Sequence, residues 1–145
     1  MTDQIKKMTF AIKTEVSDPD AKIFVFTEQK TMYGGKHIAK GDRIFVFASE
    51  NQGGPGLIAE GVVTSAKAIA KQGGRERETP RVTITVRRTA VAKRPLGRST
   101  LRLFSDWTDL RPETELNFKF YRQATNKIVG LSDETAKFVQ GFFYD

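Results

Sequence analysis

The densest chemistry in this sequence is a run of guanidinium and ammonium groups. Residues 61–105 hold 11 basic and 2 acidic side chains, whereas residues 1–60 hold 8 of each and residues 106–145 hold 5 basic and 7 acidic. The formal net charge of +7 is therefore a block of +9 whose flanks sum to −2. Lys and Arg neutralise phosphates and release condensed counterions, and Arg adds a bidentate fork that fits a phosphate. Arg87, Arg88, Lys93, Arg94, Arg98 and Arg102, on and after the last confident strand, are the candidate phosphate contacts. A solvated loop needs no such concentration of one sign, so the block predicts a polyanionic partner, RNA or DNA.

Other chemistries have fewer parts. The chain has no cysteine, which removes disulfides, thiolate metal sites and thiol nucleophiles, and it has one histidine, His37, in a Gly/Lys-rich loop. A Ser-His-Asp arrangement would have to use His37, and no G-x-S-x-G turn is present. No metal site and no cofactor are expected, and the reading is of a binding module and not an enzyme.

The elements that must position these groups come from the apolar pattern. Met8–Thr14 alternates Phe10 and Ile12 with polar neighbours, as a half-buried strand does. Lys22–Thr27 and Arg43–Ala48 read as strands apolar on both pleat faces. Leu57–Ser65 and Arg81–Val91 complete the set, with Val82, Ile84 and Val86 set against Thr83, Thr85 and Arg87. Turn signals separate them: SDPD at 17–20, YGG at 33–35, KGD at 40–42, NQGGPG at 51–56 and KQGGRERETP at 71–80. Short strands on mostly short loops favour an antiparallel or mixed curled sheet, a small barrel. Helix is expected at the end of the chain, where Ser132 caps an acidic first turn before Ala136, Phe138, Val139 and Phe142. Leu101–Leu110 is open between strand end and short helix.

Three segments carry a resemblance. Positions 40–63, KGDRIFVFAS…GLIAEGVV, hold a Gly-Asp turn, a strand, a Gly-rich loop and a strand with an internal Gly61. They resemble the barrel wall of the PUA-like superfamily, and most of all the EVE domain. Met8–Glu15 is similar to the opening strand of that domain. FKFYRQATNKIVGLSDETAKFV is similar to the segment in which an aromatic strand runs into "TNK" and a final helix. Where EVE domains carry Trp after the first strand, this sequence has Tyr33-Gly34-Gly35.

The resemblance implies an α+β fold over residues 1–145: a small curled mixed or antiparallel β-barrel of PUA-like type, with flanking short helices and a C-terminal helix. It also implies recognition of RNA or DNA, with a modified or flipped base held in an aromatic-lined pocket. A flipped base needs π-faces for stacking and a few polar groups for its edge. Tyr33, Trp107, Phe118 and Tyr121 are the candidate faces, and Gly34, Ser49, Arg122, Thr125 and Asn126 complete the candidate pocket. Phe118 alternates with Phe120, which also fits a core strand.

An alternative is a small amidohydrolase or nuclease similar to the ASCH relatives, using Lys40 or Lys13 with Glu60 or Glu15. Such a lysine would need a desolvated cleft to lose its proton near neutral pH. No apolar run approaches the roughly 20 residues of a membrane helix, and the opening MTDQIKKMTF has no signal-peptide core, so a cytoplasmic protein without a membrane partner is expected.

Overall fold

The computed structural model describes residues 8–70, 80–123 and 125–144. Among the described residues there are six strands: β1 (Thr9–Thr14), β2 (Ile23–Met32), β3 (Arg43–Ala48), β4 (Gly56–Ile69), β5 (Arg81–Val91) and β6 (Lys127–Leu131). They close into a barrel in the order β1-β3-β4-β5-β2-β6. The sheet is mixed: β1 runs parallel to β3, β2 runs parallel to β6, and the other pairs are antiparallel. The 71–79 part of the expected KQGGRERETP turn, with Lys71, Arg75 and Arg77, lies outside the described residues.

Strand alternation fills the barrel from inside with Phe10, Ile12, Phe24, Phe26, Ile44, Val46, Ile84 and Ile128. The opposite pleat of β1, β3 and β6 carries Ala11, Phe45, Phe47, Val129 and Leu131, which meet a layer of helices. That layer consists of α1 (Arg98–Leu101), α2 (Pro112–Leu116), a π-helical turn at Asn117–Tyr121 and α3 (Asp133–Gln140). Ser132 caps α3 as its sequence requires, its hydroxyl accepting from the Thr135 amide at 3.2 Å.

Two expectations need correction. Lys22–Thr27 is not apolar on two buried faces: Phe24 and Phe26 point inward, while Ile23 and Val25 are 60% and 63% exposed. The helical layer covers the β1, β3 and β6 side of the barrel and leaves the outer face of β2 open. Second, Phe118 and Phe120 do not alternate on a strand. Pro112 opens α2, Glu113 and Glu115 complement its dipole, and Leu116 and Phe120 bury one face at helical i, i+4 spacing. The last turn widens so that the Arg122 amide donates to the Asn117 carbonyl at 2.9 Å. The strand of this region begins only at Lys127, the last residue of the "TNK". Leu101–Leu110 resolves into the end of α1 followed by turns.

Candidate nucleic-acid interface

The turn at Asn117–Tyr121 divides the candidate pocket residues into two groups. On one side Phe118 is central. Its ring lies 5.8 Å from Tyr33 and 5.3 Å from Trp107, the latter at an interplanar angle of 69°. The Arg122 guanidinium sits 4.9 Å from the Phe118 ring and 5.7 Å from Trp107, within cation–π range of both. Tyr33 adopts φ 51° and Gly34 φ 84°, so two consecutive residues are left-handed. For a bulky side chain that conformation costs about 1–3 kcal/mol and persists only where the surroundings impose it. Here the Tyr33 carbonyl accepts from the Gly130 amide of β6, and Gly35 packs so tightly on the Ile128 carbonyl that a Cβ would occupy the same space.

Trp107 is held by local polar chemistry. Asp106 accepts from the Thr108 amide at 3.2 Å and from its hydroxyl at 2.7 Å, an Asx turn. Buried Asn117 donates to the Phe104 carbonyl at 3.0 Å and ties this loop to the helix. Trp107 and Phe118 wall a groove of about 510 Å³ between α2 and the start of α3, with Leu110, Arg111, Asp133 and Glu134 on its rim. Leu110 is 86% exposed and left-handed at φ 60°, a second constrained residue beside the same rings. Glu115 anchors the groove floor by accepting from Lys119, Ser132 and Thr135 side chains at 2.9, 2.6 and 2.6 Å. Burial pushes the Glu115 carboxyl up, but these donors together with the Ser132 amide outweigh it and hold its pKa below the usual value.

On the other side of the turn lie Ser49, Tyr121, Thr125 and Asn126. The Tyr121 hydroxyl donates to Glu50 at 3.0 Å, and burial followed by the Glu50 charge raises its pKa. Asn126 donates to Gln52 at 3.0 Å. The Thr125 carbonyl accepts from Lys127 at 2.9 Å. Ser49 is buried, and its hydroxyl has no hydrogen-bond partner among the described residues. Tyr121 therefore belongs to a polar cluster and not to the Tyr33–Phe118–Trp107 ring cluster. Lys13, Glu50 and Lys127 join it, an arrangement that becomes visible only once β1 and β6 are paired.

The basic residues are strung out along the barrel. Arg87 is exposed on β5, and Arg88 donates to the Asp20 carbonyl at 3.0 Å. Arg94 donates to the Gly141 carbonyl at 2.7 Å and lies 4.6 Å from the Phe142 ring, next to Lys93. Arg98 is 5.8 Å from the Tyr121 ring and reaches the Asn51 side chain, and Arg102 is exposed after α1. His37 is exposed in a short 3-10 turn. Of the lysine–carboxylate pairs considered, Glu60 is engaged by Arg43 at 3.2 Å, and Lys13 stands in the field of Glu50.

No protein-family model matches this sequence, and no curated protein matches it. Solved structures do. Human THYN1 in complex with DNA containing 5-methylcytosine aligns at a TM-score of 0.63 and 13% identity, over 96% of this chain and 99% of that one. This chain shares the fold of that structure. The DUF55 domain of human thymocyte nuclear protein 1 gives 0.61 at 14% identity over 92% and 96% of the two chains. A hypothetical protein from Leishmania major gives 0.61 at 11%, over 94% of each chain. The expected architecture, a closed mixed barrel with short helices and a C-terminal helix, is thus present. Among the described residues no helix is long and apolar enough to cross a membrane.

Proposed function

We propose that this chain is a nucleic-acid-binding module that takes one unpaired base, modified or not, into the groove beside Trp107 and Phe118. The observation that carries the reading is the edge contact of those two rings at 5.3 Å under the Arg122 guanidinium, on the wall of a groove of about 510 Å³. That volume lies in the roughly 300–1,000 Å³ range of small-ligand pockets. Stacking on aromatic and guanidinium planes is how unstacked bases are held. The THYN1 structure of the same fold was solved with 5-methylcytosine DNA, which supports a nucleic-acid ligand for this barrel.

The groove itself is acidic at Asp133 and Glu134. These carboxylates outnumber Arg111 on the rim and disfavour phosphate there, so in this reading the backbone runs instead toward Arg98, Arg102 and the Arg87–Arg94 stretch. Carboxylates at the rim suit a base edge that presents an exocyclic amino group, as cytosine and adenine do. Affinity for a single-stranded oligonucleotide, and for a duplex carrying 5-methylcytosine, measured between low and moderate salt, tests this. Each phosphate contact contributes roughly 0.7 to 0.9 of log–log slope. Reversing the charge of Arg87, Arg88 and Arg94 should reduce that slope and weaken all sequences alike. Binding that is flat with salt would count against the reading.

A further inference from the structure

Lys13 and Lys127 face each other across the antiparallel β1–β6 pair, and neither exposes more than 1% of its surface. Both lie on the outer pleat of the barrel, with Phe47 beside Lys13 on β3 and the Tyr121 turn packed above. Like charges directly opposite in a sheet are destabilising, and taking each ion out of water costs several kcal/mol. A purely structural position would favour Met or Leu.

The compensation is uneven. Lys127 donates to the carbonyls of Thr125 at 2.9 Å and Gln123 at 3.4 Å. Lys13 has the Tyr121 ring at 4.9 Å and no hydrogen-bond partner among the described residues, the same condition as the Ser49 hydroxyl. Glu50 is the carboxylate of the cluster, and its oxygens already accept from the Tyr121 hydroxyl and, at 2.7 Å, from the Arg98 amide. Three cations, Lys13, Lys127 and Arg98, thus stand around one occupied carboxylate. Two buried donors remain unused. Both are matched by an acceptor-only ligand carrying negative charge.

We infer that the end of β1, Ser49 and the Tyr121 turn form an oxyanion site that takes a phosphate group, with Lys13 and Ser49 donating to its oxygens and Arg98 at its entrance. Two side-chain hydrogen bonds, Arg98 to Asn51 and Asn126 to Gln52, join the segment after β3 to the elements that carry Arg98 and Asn126. The site is separate from the Trp107 groove, although the same helical turn, Asn117–Tyr121, separates the two. Burial lowers the pKa of Lys13 and holds that of Lys127 at about 8, so a bound anion would draw protons onto them and bind more weakly above pH 8.

The test uses the full chain with two probes, inorganic phosphate against chloride at matched ionic strength, and a single-stranded oligonucleotide. Phosphate should raise the melting temperature of the wild-type chain. Lys13→Met should melt at the same or a higher temperature without phosphate and lose the phosphate-dependent rise. Ser49→Ala, which removes only a hydroxyl, should fold normally and reduce it. If the bound phosphate belongs to the nucleic-acid backbone, Lys13→Met also lowers oligonucleotide affinity about tenfold, the worth of one charge-assisted hydrogen bond. If it is a free phosphate or small phosphorylated molecule, oligonucleotide affinity stays unchanged while the phosphate response is lost. A wild-type chain with no phosphate-specific shift, or a Lys13→Met chain that keeps the full shift, overturns the assignment. Inorganic phosphate has no base, so these outcomes do not depend on the Trp107 groove.

Discussion

Truncating Trp107 to alanine separates a binding ring from a packing ring. Trp107 is 40% exposed, so about 60% of the roughly 250 Å² of a large aromatic side chain is withdrawn from water, some 150 Å². At about 25 cal/mol per Å² that is near 4 kcal/mol, and residual burial in the denatured chain together with the retained Cβ reduces it to about 2–3 kcal/mol. For a chain of this length the melting temperature should fall by about 7–10 °C. The fully buried Phe120 is the control, where Phe120→Ala should cost about 3–5 kcal/mol. A stacked base contributes about 1–3 kcal/mol, so Trp107→Ala should also weaken oligonucleotide binding by about 5- to 150-fold. Affinity is measured by fluorescence anisotropy well below both melting transitions, so that the unfolded fraction does not enter. Trp107→Ala should lose both stability and affinity, Phe120→Ala mainly stability. If folded Trp107→Ala binds as tightly as the wild-type chain, Trp107 serves packing alone and the base-stacking argument fails.

Two further outcomes follow from ionised groups. Glu115→Gln removes charge from a carboxylate that accepts from Lys119, Ser132 and Thr135, and should cost about 2–3 kcal/mol at pH 7 by urea denaturation. Because the folded pKa of Glu115 is depressed below 4.5, its contribution is present above pH 4.5 and lost as pH falls through the folded value, so the difference between wild type and variant should shrink in acid. Lys127 runs the other way: its pKa drops from 10.5 to about 8, so between these values the unfolded chain binds more protons and stability rises with pH. Lys127→Met should relieve up to about 3 kcal/mol at pH 7 and progressively less as pH approaches 10, and a pH-independent difference would refute this.

Much of the barrel was legible because its strands obey local rules. Arg81–Val91 matches β5 end to end, Arg43–Ala48 matches β3, and Ser132 caps α3 as its position before Asp133 and Glu134 demands. The errors arose where tertiary context decides. FVF in Lys22–Thr27 resembles FVF in Arg43–Ala48, yet only the latter lies under the helices. The F-K-F spacing of 118–120 mimics a strand, whereas burial follows Leu116 and Phe120. Tyr33, Trp107 and Phe118 lie in separate segments of the chain, and the Phe118 ring lies against both of the others. Lys13 and Lys127 come from opposite ends of the chain and meet only through the β1–β6 register, so no local pattern marks them as neighbours. The charge of Arg98 is plain in the sequence, but its place 5.8 Å from the Tyr121 ring is not.

Trp107 is the one tryptophan of the chain, so its emission reports the groove without any label. Titrating the wild-type chain with a single-stranded oligonucleotide, following Trp107 emission alongside anisotropy of a labelled strand, addresses the central claim directly. Base stacking on Trp107 predicts quenching that saturates with the same dissociation constant as the anisotropy. Saturable binding that leaves the emission of Trp107 unchanged would contradict it.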